Sequence, residues 1–191
     1  MNKLNNQNFI LAIGLVILAS LSRLFPVLPN FQPIMAIALF AGVAFSSNRV
    51  LSFLIPIGAL LFSDILLHFF SESLFGFYAG FHNSMIAVYL SFGLIVLLSS
   101  FFNKKVTLLS VLGTSLLSAI IFFILTNLSS WLFGLDINNM PYTKDWAGLT
   151  WCFTSALPFF KYSVASVLLY SGVLFGIYYS VPKYILKPIK N

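Results

Sequence analysis

The chain has 191 residues, of which 60% are hydrophobic and only 7% are charged, and its mean hydropathy is +0.99. A soluble domain carries about 25% charged residues, so the composition excludes one and indicates a single integral membrane domain over residues 1–191. The formal net charge of +6 does not indicate nucleic-acid binding, because the basic residues lie at predicted helix ends, where membrane topology explains them.

Six hydrophobic runs predict an all-α, polytopic membrane bundle of about six transmembrane helices. In chain order they cover residues 8–24, 34–45, 50–70, 83–102, 106–125 or a little beyond, and 158–179. About 20 apolar residues are needed to cross the hydrocarbon core, and the second run has only 12 before Ser46. We therefore expect the preceding stretch, RLFPVLPNFQP at residues 23–33, to finish this crossing as irregular backbone. Such backbone survives at depth only against protein or a wet cavity.

The prolines of this stretch make a more specific prediction. Pro29 and Pro33 disfavour helical backbone at the residues before them, so we expect extended kinks on both sides of Asn30 and a helix beginning near Pro33. The Asn30 amide offers a ligand both donor and acceptor groups, and Phe31 offers a ring face. The alternative is that Asn30 only caps the second helix.

Basic residues are divided unequally between the two sides of the predicted bundle. With the N-terminus inside, the inner side has Lys3, Arg49, Lys104, Lys105, Lys183, Lys187 and Lys190, and the outer side has Arg23, Lys144 and Lys161. This bias predicts both termini in the cytoplasm of a bacterial cell and a multi-pass protein of the inner membrane. All four acids, both histidines, all three tryptophans and the cysteine then lie on the outer side, where we expect a ligand site.

The third predicted helix ends in SDILLHFFSE. Asp64 and His68 are four residues apart, and an acid follows one turn later, so these side chains are expected on one helical face. An acid inside a membrane is costly and usually functional. We expect Asp64 to pair with Arg23 or Lys161 at the head of the outer cavity. A purely structural ion pair is one alternative, and a metal site with His82 as the further ligand is another.

The region between the last two predicted helices has two parts. Residues 129–145 form a polar turn region, and residues 146–157 are apolar with helical spacing. The second part is either an interfacial amphipathic helix or a lid over the pocket. Lys161 lies near the predicted start of the sixth helix, where the helix dipole disfavours a cation, and this favours its pairing with Asp64 or an anionic ligand group. Cys152 is more typical of a small buried hydrophobe than of a ligand to a metal.

Candidate ligand-binding residues share an outer location and a polar or aromatic side chain. They are Arg23, Asn30, Phe31, Asp64, His68, Tyr78, His82, Asn127, Trp131, Trp146 and Lys161. Motifs for a nucleophilic serine, a zinc protease or a phosphate-binding loop are missing from the sequence, so we expect no enzyme, no catalytic residue, no cofactor and no metal. Ridges of small residues can pack the bundle or dock a partner; they are Ala38, Gly42 and Ser46, then Ser110, Thr114 and Ser118, then Gly172, Gly176 and Ser180.

Four stretches carry a family resemblance: RLFPVLPNFQPIMAIALFAG, PIGALLFSD, TNLSSW and CFTSALPFFK. Together they resemble a widespread group of small bacterial six-helix membrane proteins of unassigned function. That group is similar in size, helix count and topology to the substrate-binding S components of energy-coupling-factor (ECF) vitamin transporters. The resemblance implies a micronutrient bound near the outer face, and a separate transmembrane coupling subunit with paired ATPases as partners.

Two functions remain open on the sequence alone. A substrate-binding subunit of a vitamin or micronutrient uptake system would work through an outer pocket, with a small-molecule ligand and the lipid bilayer as its contacts. A non-catalytic structural or assembly protein resembling the MreD family would work through lateral helix faces and needs no pocket. A polar-lined outer cavity near Arg23, Asn30 and Asp64 distinguishes the two. An aromatic-rich outer site would suit a flat heterocycle.

Overall fold

The computed structural model describes residues 6–25, 28, 30–46, 48–81, 84–101 and 106–185. These residues form six helices: α1 (Asn6–Leu21), α2 (Ile34–Ala44), α3 (Arg49–Phe75), α4 (Met85–Phe101), α5 (Leu108–Phe133) and α6 (Trp146–Ile185). A 3₁₀ turn over Ser22–Leu24 follows α1. Within the described ranges there is no strand, and a single isolated bridge pairs Leu135 with Pro141. The predicted all-α helical bundle is confirmed.

Three helices are long and apolar enough to cross a membrane: Arg49–Phe75, Leu108–Phe133 and Trp146–Ser180. The other apolar helical segments, Phe9–Leu24, Ile34–Ala44 and Met85–Ser99, are shorter. Large hydrophobic side chains remain exposed along the outside of the bundle, among them Phe62, Ile120 and Leu169. A continuous apolar exterior of this kind is a liability in water and is suited to lipid.

The shortest helix, α2, lies at the centre of the bundle. It packs against each of the other five helices, and all of its residues except Val43 are buried. A helix that is hydrophobic on every side is stable only when it is enclosed on every side. Gly42 allows α4 to approach closely, since a Cβ atom there would lie 1.7 Å from Ser99 Oγ and 2.7 Å from the Val96 carbonyl oxygen.

The predicted small-residue ridges separate into two kinds. Ala38 and Gly42 of α2 and Thr114 and Ser118 of α5 are buried, so these ridges pack the bundle. The ridge of α6 faces outward, because a Cβ added at Gly172 would have no heavy atom within 4 Å. Close approach through small residues is the usual device of helix packing in membranes.

The largest differences between predicted and observed helix ends are at the ends of α3 and α5 and at the start of α6. α3 continues five residues beyond its predicted end and stops at Gly76, which has φ of 76° and donates its N–H to the Glu72 carbonyl. Glycine is the residue that most easily adopts this left-handed cap. α5 continues to Phe133 and ends at Gly134, whose N–H bonds the Ser130 carbonyl.

The prediction that the sixth helix begins at Pro158 is wrong. α6 begins at Trp146 and runs for 40 residues. Asp145 caps this start, because its Oδ1 accepts the Gly148 N–H at 2.8 Å and its carbonyl accepts the Leu149 N–H at 3.1 Å. Residues 146–157 are therefore the first turns of α6, neither a separate interfacial helix nor a detached lid. Proline is tolerated inside membrane helices when neighbouring groups satisfy the freed carbonyl.

Candidate functional site

A cavity of about 380 Å³ lies near the end of the bundle where α2 and α4 begin and α3 and α5 end, and Ala156, Phe160 and Ser163 of α6 also line it. Pockets for small organic ligands have volumes of about 300–1,000 Å³. Its described lining combines charged and amide side chains with hydroxyls and aromatic rings. The polar groups are Arg23, Asn30, Gln32, Asp64, Ser84, Thr126, Asn127, Ser130 and Ser163.

An ion pair lies in the wall of this cavity. Arg23 Nη1 is 2.7 Å from Asp64 Oδ1, and the two side chains are 7% and 2% exposed. The same nitrogen donates to the Ser63 hydroxyl and, at 3.4 Å, to the Leu60 carbonyl. The second carboxylate oxygen, Asp64 Oδ2, accepts the Tyr89 hydroxyl at 2.7 Å. The predicted pairing of Asp64 with Arg23 is confirmed, and both oxygens of the carboxylate have a partner.

Asp64 lies on the buried face of α3, whereas His68 on the same helix is exposed. Leu60, Leu67 and Ser71 precede or follow Asp64 by four, three and seven residues, and all are buried. These spacings keep a side chain on one face of a 3.6-residue helix. His68, four residues after Asp64, lies at the edge of this face and is exposed. Of the two side chains expected on one helical face, Asp64 is buried and lines the cavity, whereas His68 is outside the lining.

The stretch RLFPVLPNFQP forms one wall of the cavity. After the 3₁₀ turn its described residues, 25, 28 and 30–33, are non-helical, and Asn30 and Gln32 line the cavity. Asn30 has φ of 58°, a left-handed conformation in which asparagine is enriched. The Ser166 hydroxyl of α6 donates to the Gln32 carbonyl and anchors the wall. Its remaining residues lie outside the described part of the chain.

Asn30 does not cap α2. The N-cap position is Pro33, whose carbonyl accepts the Ile37 N–H at 2.9 Å. The capping alternative is therefore wrong, and the backbone conformation gives the structural reason for an asparagine at position 30. The expected lining role of this stretch is confirmed for Asn30 and Gln32.

Aromatic rings form another part of the lining. Phe122 and Phe123 of α5 and Phe160 of α6 contact the cavity, with the rings of Phe123 and Phe160 4.8 Å apart between centroids. Asn127 follows one turn after Phe123 and donates its Nδ2 to the Phe123 carbonyl at 2.7 Å. This bond fixes the amide and leaves its oxygen as the group that can accept from a ligand.

Among the lining residues that are themselves buried, Arg23 and Ser163 each have a polar group without a hydrogen-bond partner in the described part of the chain. Arg23 Nε is buried and unpaired. Ser163 is 7% exposed, and no described residue bonds its hydroxyl. A buried polar group left without a partner costs about 1–3 kcal/mol. Such groups need an explanation, and a bound molecule supplies one.

The segment of residues 76–81 closes one side of the cavity. His68 Nδ1 and the Tyr78 hydroxyl are 2.8 Å apart, and the Ala79 N–H donates to the Ser71 hydroxyl at 2.9 Å. Ala79 and Gly80 line the cavity. His68 and Tyr78 therefore hold the wall from its outer side, and neither is among the residues that line the cavity.

The sequence-predicted site residues fall into three groups. Arg23, Asn30, Asp64 and Asn127 line the cavity, and Phe31, His68, Tyr78, Trp131, Trp146 and Lys161 are outside its lining. His82 is outside the described residues. Sequence reasoning did not select Gln32, Tyr89 or Ser163, all of which contribute to the site or its ion pair.

The candidates outside the lining have other partners. The Phe31 ring is 6.0 Å from the Tyr170 ring, and Trp131 Nε1 donates to the Thr143 carbonyl at 2.8 Å. Lys161 lies in the middle of α6, 5.0 Å above the Tyr162 ring, so the expectation that it begins a helix is wrong. Asp64 forms its ion pair with Arg23, not with Lys161.

The chemistry available in the cavity is that of hydrogen bonding and ring contact. In the described part of the chain, no three His, Cys, Asp or Glu side chains are grouped closely enough to hold a metal ion. Asp64 is the one carboxylate among the described lining residues, and its oxygens are already engaged. The arrangement can bind and orient a small molecule.

A family model matches residues 3–187. The chain belongs to DUF6580, a family of unknown function. A search of curated proteins and a search of solved structures each gave no match. Membership in DUF6580 covers nearly the whole chain but assigns no activity, so the functional argument rests on the cavity.

Proposed function

We propose that this protein binds a small organic molecule in the cavity and is the substrate-binding membrane subunit of a micronutrient uptake system. The observation that carries this proposal is a cavity of about 380 Å³ beside a buried ion pair and lined by polar groups that have no partner among the described residues. Volume, aromatic wall and convergent polar groups are the attributes of a small-molecule site.

The unpaired groups favour ligand binding over a purely structural role. A protein that acts only through lateral helix contacts gains nothing from a buried Arg23 Nε or an unbonded Ser163 hydroxyl. An unpaired buried donor such as Arg23 Nε lowers the free energy of unfolding by about 1–3 kcal/mol. A ligand that bonds the lining groups stabilises the folded bundle.

The proposal includes an orientation. We place the protein as a multi-pass protein of the bacterial inner membrane, with both termini in the cytoplasm and the cavity towards the outer face. The support is the sequence bias that assigns seven of the ten basic residues to the inner side, together with Arg49, which begins α3 at the end of that helix away from the cavity. The orientation is tested with a reporter enzyme that is active only in the periplasm, fused after Asn191. Activity of this fusion would contradict a cytoplasmic C-terminus.

Uptake against a gradient requires an energy source, and the sequence has no phosphate-binding loop motif of its own. We therefore assign energy coupling to a separate transmembrane subunit with ATPases, as in the ECF systems whose S components the chain resembles in size, helix count and topology. Lipid surrounds the apolar exterior, and the cavity end receives the substrate.

The uptake proposal is tested in cells. A bacterium whose copy of this gene has been deleted is grown beside the parent strain, and the small molecules left in the two spent media are compared by mass spectrometry. We expect one compound to stay in the medium of the deleted strain and to be depleted again when the wild-type gene is restored. Identical spent media in an otherwise defined medium would overturn the uptake role.

A further inference from the structure

We propose that the ligand is an uncharged, planar molecule bearing a carbonyl or ring-nitrogen acceptor, such as an aromatic amide or a lactam. This inference rests on the proposed function and names the substrate class of the same cavity. It is carried by the charge balance of the lining, by two polar groups without partners and by the phenylalanine wall.

Charge balance favours a neutral ligand. The described lining contains one cation and one anion, Arg23 and Asp64, and these are paired. A ligand anion would need a second cation, but Lys161 is exposed and outside the lining. A ligand cation would need an unpaired negative charge, whereas the Asp64 charge is already neutralised by Arg23. An uncompensated charge in a low-dielectric interior is strongly unfavourable.

The guanidinium requires an acceptor. Arg23 Nη1 is engaged by three protein oxygens, and Nε–H has no partner among the described residues but is fully buried. The Nη2 amino group, which no described residue bonds, is therefore the guanidinium donor left for a ligand in the cavity. A donor on a charged group makes stronger hydrogen bonds than a neutral one. A carbonyl oxygen or an unprotonated ring nitrogen is the uncharged group that meets this requirement.

Ser163 differs from every other buried serine or threonine of the described chain. The others each make a hydrogen bond to a carbonyl, an N–H or another hydroxyl: Ser20, Ser52, Ser63, Ser71, Ser91, Ser99, Thr114, Ser115, Ser118, Ser166 and Ser171. Ser163 makes none, and it is the buried serine that lines the cavity. Its hydroxyl is therefore available to a ligand, as donor or acceptor.

The remaining lining favours a flat shape with amide-like edges. Phe122, Phe123 and Phe160 provide ring surfaces for stacking or edge contact. The Gln32 amide pairs best with a group that offers a donor beside an acceptor, and the Asn127 oxygen accepts a further donor. An aliphatic ligand would contact the rings but would bond neither amide.

The test uses as probes the small molecules extracted from the bacterium that carries this gene. An ultrafiltered extract of the cells is separated by ion exchange into neutral, anionic and cationic fractions, and each is added to the purified full-length protein in detergent. We expect the neutral fraction alone to raise the melting temperature and to leave a bound compound that absorbs in the near ultraviolet. Stabilisation by a charged fraction, or a bound aliphatic compound, would overturn the ligand class while keeping a binding function. No effect of any fraction would overturn both.

A matched pair of variants ties the effect to the cavity. Ser163→Ala removes a hydroxyl that bonds no described residue, so we expect unchanged melting without ligand and about three- to tenfold weaker binding of the neutral fraction. Ser91→Ala removes a buried hydroxyl that bonds the Ala87 carbonyl at 2.6 Å outside the cavity lining, and we expect unchanged binding. Equal binding by both variants would contradict the assigned contact.

Discussion

Arg23 and Asp64 come from different helical segments, yet their side chains are 2.7 Å apart in the interior of the bundle. Arg23 lies in the 3₁₀ turn after α1, and Asp64 lies on the buried face of α3. The pair joins these two segments beside the cavity. Both side chains are almost fully buried, so each charge depends on the other for most of its stabilisation.

Removing one charge of this pair should therefore lower the free energy of unfolding more than removing both charges. We expect Asp64→Asn to lower the free energy of unfolding by about 3–5 kcal/mol, because Arg23 remains buried without its counter-ion. The double variant Arg23→Met with Asp64→Leu should recover a large part of this loss, since it replaces the pair by apolar groups. Unfolding in mixed detergent measures the free energy of unfolding of the single and the double variant. Losses that simply add between the two sites would show that the ion pair is not coupled.

Asn30 should have a structural and a ligand-binding role that can be separated. Its φ of 58° is accessible to glycine without strain, so Asn30→Gly should keep the fold and lose the amide. We expect unchanged melting of the free protein and weaker binding of the neutral fraction. Asn139→Gly is the matched control, because Asn139 also has φ of 58° and is outside the cavity lining. Unchanged binding in both variants would exclude a contact from the Asn30 amide.

Packing between α2 and α4 depends on the absence of a side chain at Gly42. A Cβ atom there would collide with Ser99 Oγ and the Val96 carbonyl, and overpacking of this kind costs about 1–3 kcal/mol. We expect Gly42→Ala to lower the melting temperature. Gly93→Ala is the control on α4, since a Cβ at Gly93 has no neighbour within 4 Å. A Gly42→Ala protein as stable as the control would contradict the close approach.

The start of α6 should be sensitive to acid. The Gly148 N–H, the Thr143 hydroxyl and further backbone N–H groups hold the pKa of Asp145 below its ordinary value. A lowered folded-state pKa stabilises the fold above the pKa of the unfolded chain, and this contribution is lost as pH falls through the folded value. Between pH 7 and pH 3, tryptophan fluorescence should change in the wild type. Asp145→Asn keeps a capping oxygen and should change less; identical titrations would exclude Asp145 as the cause.

The presence of the helices could be predicted from the sequence. Long apolar runs must satisfy their backbone hydrogen bonds internally in a membrane, and a helix does this. The outer helix ends could not be placed from hydropathy, because Gly76, Gly134 and Asp145 end or begin helices through capping. These are local signals of backbone conformation. Pro158 does not begin a helix but lies inside α6, just as Pro56 lies inside α3.

The site could be predicted only where its residues are unusual in an apolar chain. Arg23, Asp64 and Asn30 are costly in a membrane and therefore conspicuous. Ser163 and Tyr89 are not, because serines and tyrosines occur throughout the helices. The rotation of each helix is also hidden in the sequence, since a lipid-facing side is as apolar as a buried one.

The central claim is that a small molecule occupies the cavity, and native mass spectrometry of a cavity-filling variant tests it most directly. Ala156 of α6 lines the cavity, whereas Ala165 of the same helix is exposed and outside it. After incubation with the host's small-molecule extract, we expect the wild type and Ala165→Phe to carry the same bound mass and Ala156→Phe to carry none. The same bound mass on Ala156→Phe, or none on any of the three proteins, would contradict the account.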